Sequence, residues 1–205
     1  MKKKRLIAVL LAAVLAFSLS ACGKVNASAR PAGQFKRVTD AVSAYENGGQ
    51  YVCDYEFIRS FAALPKTAAE EPEFDSWERT DSEDGSAVSF EKKTTLFGCE
   101  ASVSVGIRKE NQKIIAILMT FTEGEAEPFE ITGALWKALS ETAGGTYEAT
   151  LDGETVKAGE ISALIDAGDS THSLRGIWPK NSIKWSVMLD YSVTDGNQQL
   201  TVYFL

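Results

Sequence analysis

Two pairs of strictly alternating apolar segments constrain the fold of this chain more than any other feature of its sequence. In the first pair, apolar side chains occupy every second position over 97–107 and again over 115–121. In the second pair, alternation over 183–193 is followed by the turn Asp195-Gly196 and a closing segment, 200–204. Period-two alternation is typical of strands with one buried face, and two such segments across a short turn predict a β-hairpin. The chain is therefore predicted to form an antiparallel sheet.

Two main helices are predicted as well. Apolar residues recur at helical spacing over 34–47, and Gly48-Gly49 follows as a stop signal. The second helix begins at Pro128, a residue favoured in the first helical turn, and ends at Gly144-Gly145. A shorter helix is predicted to end at Gly168.

The segments between these elements give weaker signals. Alternation over 51–57 predicts a short strand. Residues 66–86 are acidic and poor in apolar side chains, which predicts a solvated loop held to the body by Phe74 and Trp77. Together these patterns predict one α+β domain over 34–205, an antiparallel sheet with two main helices packed on one face.

The order of elements is similar in two halves, 34–123 and 128–205. Each half runs from a helix through Gly-Gly-x-Tyr into an extended segment and then into antiparallel strands. Only that short motif matches letter by letter, so a duplication and a coincidence of helix caps both stay open. A duplicated chain would join its strands in one curved sheet. That layout resembles the tandem α+β fold of the β-lactamase-inhibitor-protein type, a resemblance of architecture that implies no activity.

Residues 1–21 are typical of a secretory signal peptide. Four basic residues, 2–5, precede an apolar segment, 6–19, and small residues follow. A membrane span needs about 20 apolar residues, so this segment is too short to be a transmembrane anchor.

The end of this leader resembles the lipobox of bacterial lipoproteins. The residues are Leu19-Ser20-Ala21-Cys22, an aliphatic residue, two small residues and a cysteine. The resemblance covers residues 1–22 alone and implies that diacylglycerol is attached to the Cys22 thiol and that cleavage follows before it. It places the protein on the extracytoplasmic side of a membrane, or on an outer membrane if the host has two. Residues 22–33 then read as the lipidated cysteine and a flexible tether.

The net charge of the chain limits the kinds of molecule that it is expected to bind. The chain has 21 basic and 28 acidic residues, a formal net charge of −7, and loss of the four basic leader residues leaves 17 against 28, or −11. Such an acidic surface repels nucleic acid and anionic lipid head groups. No nucleic-acid partner is expected, and the lipid must anchor the domain without help from a basic patch.

Few residues suggest chemistry. With Cys22 lipidated, Cys53 and Cys99 remain, and in an exported protein they form either a disulfide or two apolar core residues. His172 is the single histidine, and it is interpreted as an ordinary loop residue. No catalytic, cofactor-binding or metal-ligating motif is expected. Trp178, in a predicted loop over 175–180, is the better candidate among the tryptophans for an exposed contact, and the alternative interpretation is a loop anchor.

These features favour a membrane-anchored, non-enzymatic binding module for a protein or envelope component. A cell-envelope hydrolase that acts through paired carboxylates is the first alternative, because acidic residues abound. A small-solute-binding lipoprotein is the second.

Overall fold

The structure, a computed structural model, describes a mixed α+β body, which confirms the fold class predicted from the sequence. It describes residues 35–46, 53–66, 71–142, 148–179 and 185–205. The signal peptide, Cys22, the tether and both predicted Gly-Gly stop signals lie outside these residues. The helices within them are α1 (Val38–Tyr45), α2 (Tyr55–Ala62), α3 (Pro128–Thr142) and α4 (Ala158–Ala167). None of these helices has the length and apolar content needed to cross a bilayer.

All of the described strands belong to one sheet. They are β1 (Glu78–Asp81), β2 (Ala87–Leu96), β3 (Cys99–Arg108), β4 (Lys113–Thr122), β5 (Glu148–Leu151), β6 (Glu154–Thr155), β7 (Leu174–Trp178), β8 (Val187–Thr194) and β9 (Asn197–Phe204). Their order is β1-β2-β3-β4-β9-β8-β7-β5-β6, and every neighbouring pair is antiparallel. Strands β2 to β4 form one meander and β7 to β9 a second, and the last strands of the two meanders pair with each other. The sheet is therefore continuous across the two predicted halves.

One face of this sheet is buried from β2 across to β5, whereas the edge strands β1 and β6 are exposed. In register, Val105 lies opposite Ile117, Ile117 opposite Phe204, and Phe204 opposite Val187, and all four are fully buried. Buried residues of all four helices belong to the same hydrophobic cluster as this face, which we call the core face. Removal of this apolar surface from water is the main stabilising contribution to the fold.

Two tight turns set the register of the hairpins. Asp195 and Gly196, with φ of 53° and 81°, join β8 to β9 as predicted. Phe97 and Gly98, with φ of 55° and 84°, join β2 to β3 in the same way. Two-residue hairpin loops of this type need positive φ at both central positions. The predicted start of a strand at Phe97 is therefore wrong by two residues, because the chain reverses there and β3 begins at Cys99.

The predicted strand over 51–57 is wrong in its described part, because α2 begins there. Asp54 is extended, and its Oδ1 accepts hydrogen bonds from the backbone N–H groups of Glu56 at 2.8 Å and Phe57 at 3.3 Å. An aspartate in this position satisfies amides at the start of a helix that have no intrahelical acceptor. Phe57 and Phe61, four residues apart, are both fully buried, which is the spacing of a helical stripe.

The acidic segment 66–86 is more ordered than the predicted loop. It contains a short 3-10 turn, Glu71–Phe74, and strand β1, while Phe74 and Trp77 are buried as predicted. The carboxylate of Glu73 accepts hydrogen bonds from the Thr39 hydroxyl at 2.8 Å and the Thr39 backbone N–H at 3.2 Å. Thr39 lies at the start of α1, where negative charge is favourable. The acidic segment thus supplies a cap to the first helix.

The prediction that Trp178 is an exposed contact is wrong, because Trp178 is fully buried at the end of β7. Its ring lies 5.0 Å from that of Trp136 on α3, in an edge-on arrangement at 78°. Gly176 makes room for both rings, since a Cβ there would lie 2.6 Å from the Trp178 ring and 2.7 Å from the Trp136 ring. Trp185, predicted to be core, is fully buried.

Candidate functional site

The face of the sheet opposite the core face carries an unbroken row of cross-strand neighbours over eight strands. We call this face the open face and these residues the transverse row. From β1 to β5 the row contains Glu78, Glu91, Ser104, Leu118, Tyr203, Met188, Ile177 and Glu148. Residues directly opposite each other on antiparallel strands have Cβ atoms about 4.5–5.5 Å apart, so each member lies beside the next. The row thus has an apolar centre of four side chains and carboxylates at both ends.

The four apolar members of the row are all partly exposed. They alternate along their strands with fully buried residues such as Ile117, Val187 and Leu189. An antiparallel sheet with one solvated face ordinarily has polar residues at its outward positions. A continuous apolar strip at these positions is instead typical of a contact surface.

Ile115 widens the apolar centre next to Leu118. A register shift between Gly106 and Ile107 marks a β-bulge, and Ile115 has no opposite residue on β3. A Cβ built on Gly106 would lie 3.9 Å from Cγ1 of Ile115, which places the Ile115 side chain over this glycine on the open face. Ile115 is 41% exposed, far more than its neighbours in the strand.

A line of hydroxyl groups runs beside the transverse row. Ser102 lies opposite Thr120, and the Thr120 hydroxyl lies 3.4 Å from that of Thr201 on β9. A shallow depression of about 450 Å³ lies over this part of the open face, with Lys93 and Thr95 among its lining residues. Hydroxyl groups both donate and accept hydrogen bonds, so the partly exposed Ser102 and Thr120 can pair with a partner's backbone beside the apolar strip, whereas Thr201 is buried.

Ion pairs and hydrogen bonds set the charge of the open face. Arg175 Nη2 lies 2.8 Å from Asp190 Oδ2, and this carboxylate raises the pKa of the guanidinium. Glu91 Oε1 accepts a hydrogen bond of 2.7 Å from the Ser102 hydroxyl, which ties the carboxylate to the hydroxyl line beside the row. Because the charges of Arg175 and Asp190 offset each other, the carboxylate of Glu148 leaves this end of the row negative among the described residues. At the other end of the row, the two negative charges of Glu78 and Glu91 exceed the positive charge of Lys93.

His172 lies in a second polar cluster, in the loop between α4 and β7. Its Nδ1 is 2.7 Å from Asp152 Oδ2 and its Nε2 is 3.8 Å from Asp169 Oδ2. Hydrogen bonding to Asp152 raises the pKa of His172, while the bonds to His172 and to the Ser173 N–H lower the pKa of Asp152. The cluster joins the β5–β6 turn to this loop. The interpretation of His172 as a loop residue is confirmed.

Among the described residues, no disulfide joins Cys53 to Cys99, so the disulfide alternative is not formed in this structure. Cys99 is fully buried at the start of β3, and its Sγ donates a hydrogen bond to the Ala126 carbonyl at 3.1 Å. Burial raises the pKa of the Cys99 thiol to about 11. Cys53 is half-buried and packs against the core.

Sequence reasoning missed the transverse row. The alternation over 115–121 predicts one common face for its apolar residues, but the bulge moves Ile115 to the open face while Ile117 stays in the core. A usable signal was present in the intervening positions, because Leu118, Met188 and Tyr203 are apolar where an outward position is expected to be polar.

Within the part of the chain that the structure describes, no group of three or more His, Cys, Asp or Glu side chains is arranged to hold a metal ion. Comparison with family models, with curated proteins and with solved structures finds no significant match to the chain.

Proposed function

We propose that the protein is an exported lipoprotein, held by lipid on Cys22 to the extracytoplasmic side of a membrane. Its folded part is a non-enzymatic module that binds a protein or envelope component through the open face. The observation that carries this proposal is the transverse row, whose apolar centre faces outward over four adjacent strands. On a monomer, an apolar strip with a polar surround marks a surface where another molecule binds.

The anchor and the charge of the domain support the same function. Two acyl chains on one cysteine give stable attachment, and a short tether keeps the domain close to the bilayer. A net charge of −11 after cleavage makes the domain repel anionic head groups. The open face is therefore available for a partner rather than pressed against lipid.

The finer architecture is part of the proposal. The two main helices cover the core face, and residues 34–123 and 128–205 are two related units. In support, each unit ends in a three-strand meander, and the last strands of the two meanders, β4 and β9, pair at the centre of the sheet.

Lipidation is tested by metabolic labelling with a clickable palmitate analogue in the producing cells. Label is expected on the wild-type protein and on Cys53→Ala, and its loss is expected for Cys22→Ala. Label that persists in Cys22→Ala would show that another residue carries the lipid.

Binding through the open face is tested with a photoreactive amino acid placed at Met188, on the row, or at Ala134, on the exposed side of α3. A crosslinked product is expected from position 188 alone, and Leu118→Asp in the same chain is expected to remove it. Equal products from both positions, or a product insensitive to Leu118→Asp, would refute the open face as the binding surface.

A further inference from the structure

We infer that the occupant of the open face is an extended protein segment with an apolar centre and basic residues at both ends. This inference rests on the proposed function, because it names the chemistry of the partner for the same surface. The juxtaposition that carries it is the order of side chains in the transverse row: two carboxylates, a serine, four apolar residues, then a carboxylate.

The dimensions of the row fit a short extended segment. Neighbouring strands lie about 4.8 Å apart, so the apolar centre from Leu118 to Ile177 spans about 14 Å over three strand intervals. Glu91 and Glu148 are six intervals apart, or about 29 Å. An extended chain advances about 3.3 Å per residue, and about nine residues therefore reach from one carboxylate end to the other.

Charge complementarity identifies what flanks the apolar part of the occupant. Glu78 and Glu91 face each other on β1 and β2, and Glu148 ends the row on β5. The Glu91 carboxylate accepts a hydrogen bond from Ser102 in the hydroxyl line beside the row, and Arg175, a described cation at the opposite end, is paired with Asp190 at 2.8 Å. Lysine or arginine side chains at both ends of a segment would meet these carboxylates when its apolar part covers the strip.

The same charges argue against a second copy of this chain as the occupant. Two copies docked face to face about a twofold axis would bring Glu91 against Glu91, or Glu91 against Glu148. Like charges brought together in this way oppose association. An anionic lipid surface is disfavoured for the same reason.

The test uses the full lipidated protein in neutral detergent and fluorescent nine-residue peptides. The first probe has two lysines at each end and five alternating valine and threonine residues in the centre. The second has glutamates in place of the lysines, and the third keeps the lysines but has a serine-glycine centre. The first probe is expected to bind at least tenfold more tightly than either of the others. Its affinity is expected to fall as the salt concentration rises.

Protein variants separate the ends of the row from its centre. The double variant Glu91→Gln/Glu148→Gln is expected to lower the affinity for the first probe about fivefold, since two exposed ion pairs with the peptide are lost. The matched control, Glu123→Gln with Glu141→Gln, removes two exposed carboxylates away from the row and is expected to bind like wild type. Met188→Asp is expected to abolish binding, and its unfolding midpoint checks that it folds.

Each outcome decides between the inference and the function on which it rests. Suppose that Met188→Asp abolishes binding but the double variant Glu91→Gln/Glu148→Gln binds the first probe like wild type, or that the glutamate-ended probe binds as well as the first. The inference about basic ends is then wrong, while the open face remains the binding surface. Absence of binding by all three probes, or a dimer in sedimentation that Met188→Asp dissociates, also overturns the inference. If Met188→Asp folds and leaves probe binding unchanged, the open face is not the binding surface and both proposals fail.

Discussion

Replacement of Gly176 by alanine tests the packing of the two buried tryptophans at the centre of the second half. The added Cβ would lie 2.6 Å from the Trp178 ring and 2.7 Å from two atoms of the Trp136 ring. Both rings are at least 99% buried, so neither has free space to move into. Overpacking of a core usually costs about 1–3 kcal/mol, and clashes with two rigid rings place this variant at the upper end, about 3 kcal/mol.

Urea unfolding followed by tryptophan fluorescence measures this loss in the purified protein. At a slope of about 2 kcal/mol/M, a loss of about 3 kcal/mol lowers the midpoint by about 1.5 M. The matched control is Gly159→Ala in α4, where a Cβ has nothing within 4 Å. Alanine is favoured over glycine in a helix, so this control is expected to keep or raise the midpoint. Equal midpoints for the two variants would refute the placement of both rings over Gly176.

Three further predictions concern a helix cap, a titrating cluster and a buried thiol. Asp54→Ala removes the cap of α2 and is expected to cost about 1 kcal/mol in urea unfolding, whereas Asp54→Asn keeps an acceptor oxygen and should cost less; equal losses would contradict the cap. The folded-state pKa of His172 is raised by Asp152 and, more weakly, by Asp169, so its stabilisation is complete below the unfolded pKa of about 6.5 and is lost as pH rises through the folded pKa. The urea midpoint should therefore fall between pH 6 and pH 8.5 by a step that His172→Gln lacks, and an identical pH profile for this variant would refute the cluster. The Cys99 thiol, with its pKa raised to about 11, is expected to resist iodoacetamide at pH 8 until urea unfolds the chain, as peptide mass spectrometry would show; rapid native alkylation would contradict its burial.

The sequence predicts the two long hairpins well because their signals are local and repeated. Alternation over ten residues cannot be satisfied by a helix, and Asp195-Gly196 suits the left-handed backbone that a two-residue hairpin turn needs. The second main helix is equally clear, since Pro128 begins a helix of 15 residues. These elements are determined by their own residues.

The errors fall where short segments depend on the rest of the fold. Alternation of aromatic residues over 51–57 suggests a strand, but Asp54 caps a helix whose buried stripe continues to Phe61. Trp178 lies next to Pro179, which suggests a loop. However, β7 pairs with β5 and β8, so this segment is a strand and the Trp178 ring is directed into the core. Four to eight residues carry too little periodicity to separate these alternatives, and tertiary contacts decide them.

The candidate site could not be predicted because it belongs to neither half of the chain alone. Leu118 lies on β4, the last strand of the first meander, and its neighbour Tyr203 lies on β9, the last strand of the second. The apolar strip becomes continuous only where these two strands pair, 85 positions apart in sequence. Period-two patterns identify which residues of a strand share a face, but they do not say which strands are neighbours. Glu91 belongs to the first half and Glu148 to the second. The distance between these two carboxylates is therefore also set by the pairing of β4 with β9. If the halves arose by duplication, the proposed binding surface is a product of their fusion into one sheet, and neither unit could have presented it before.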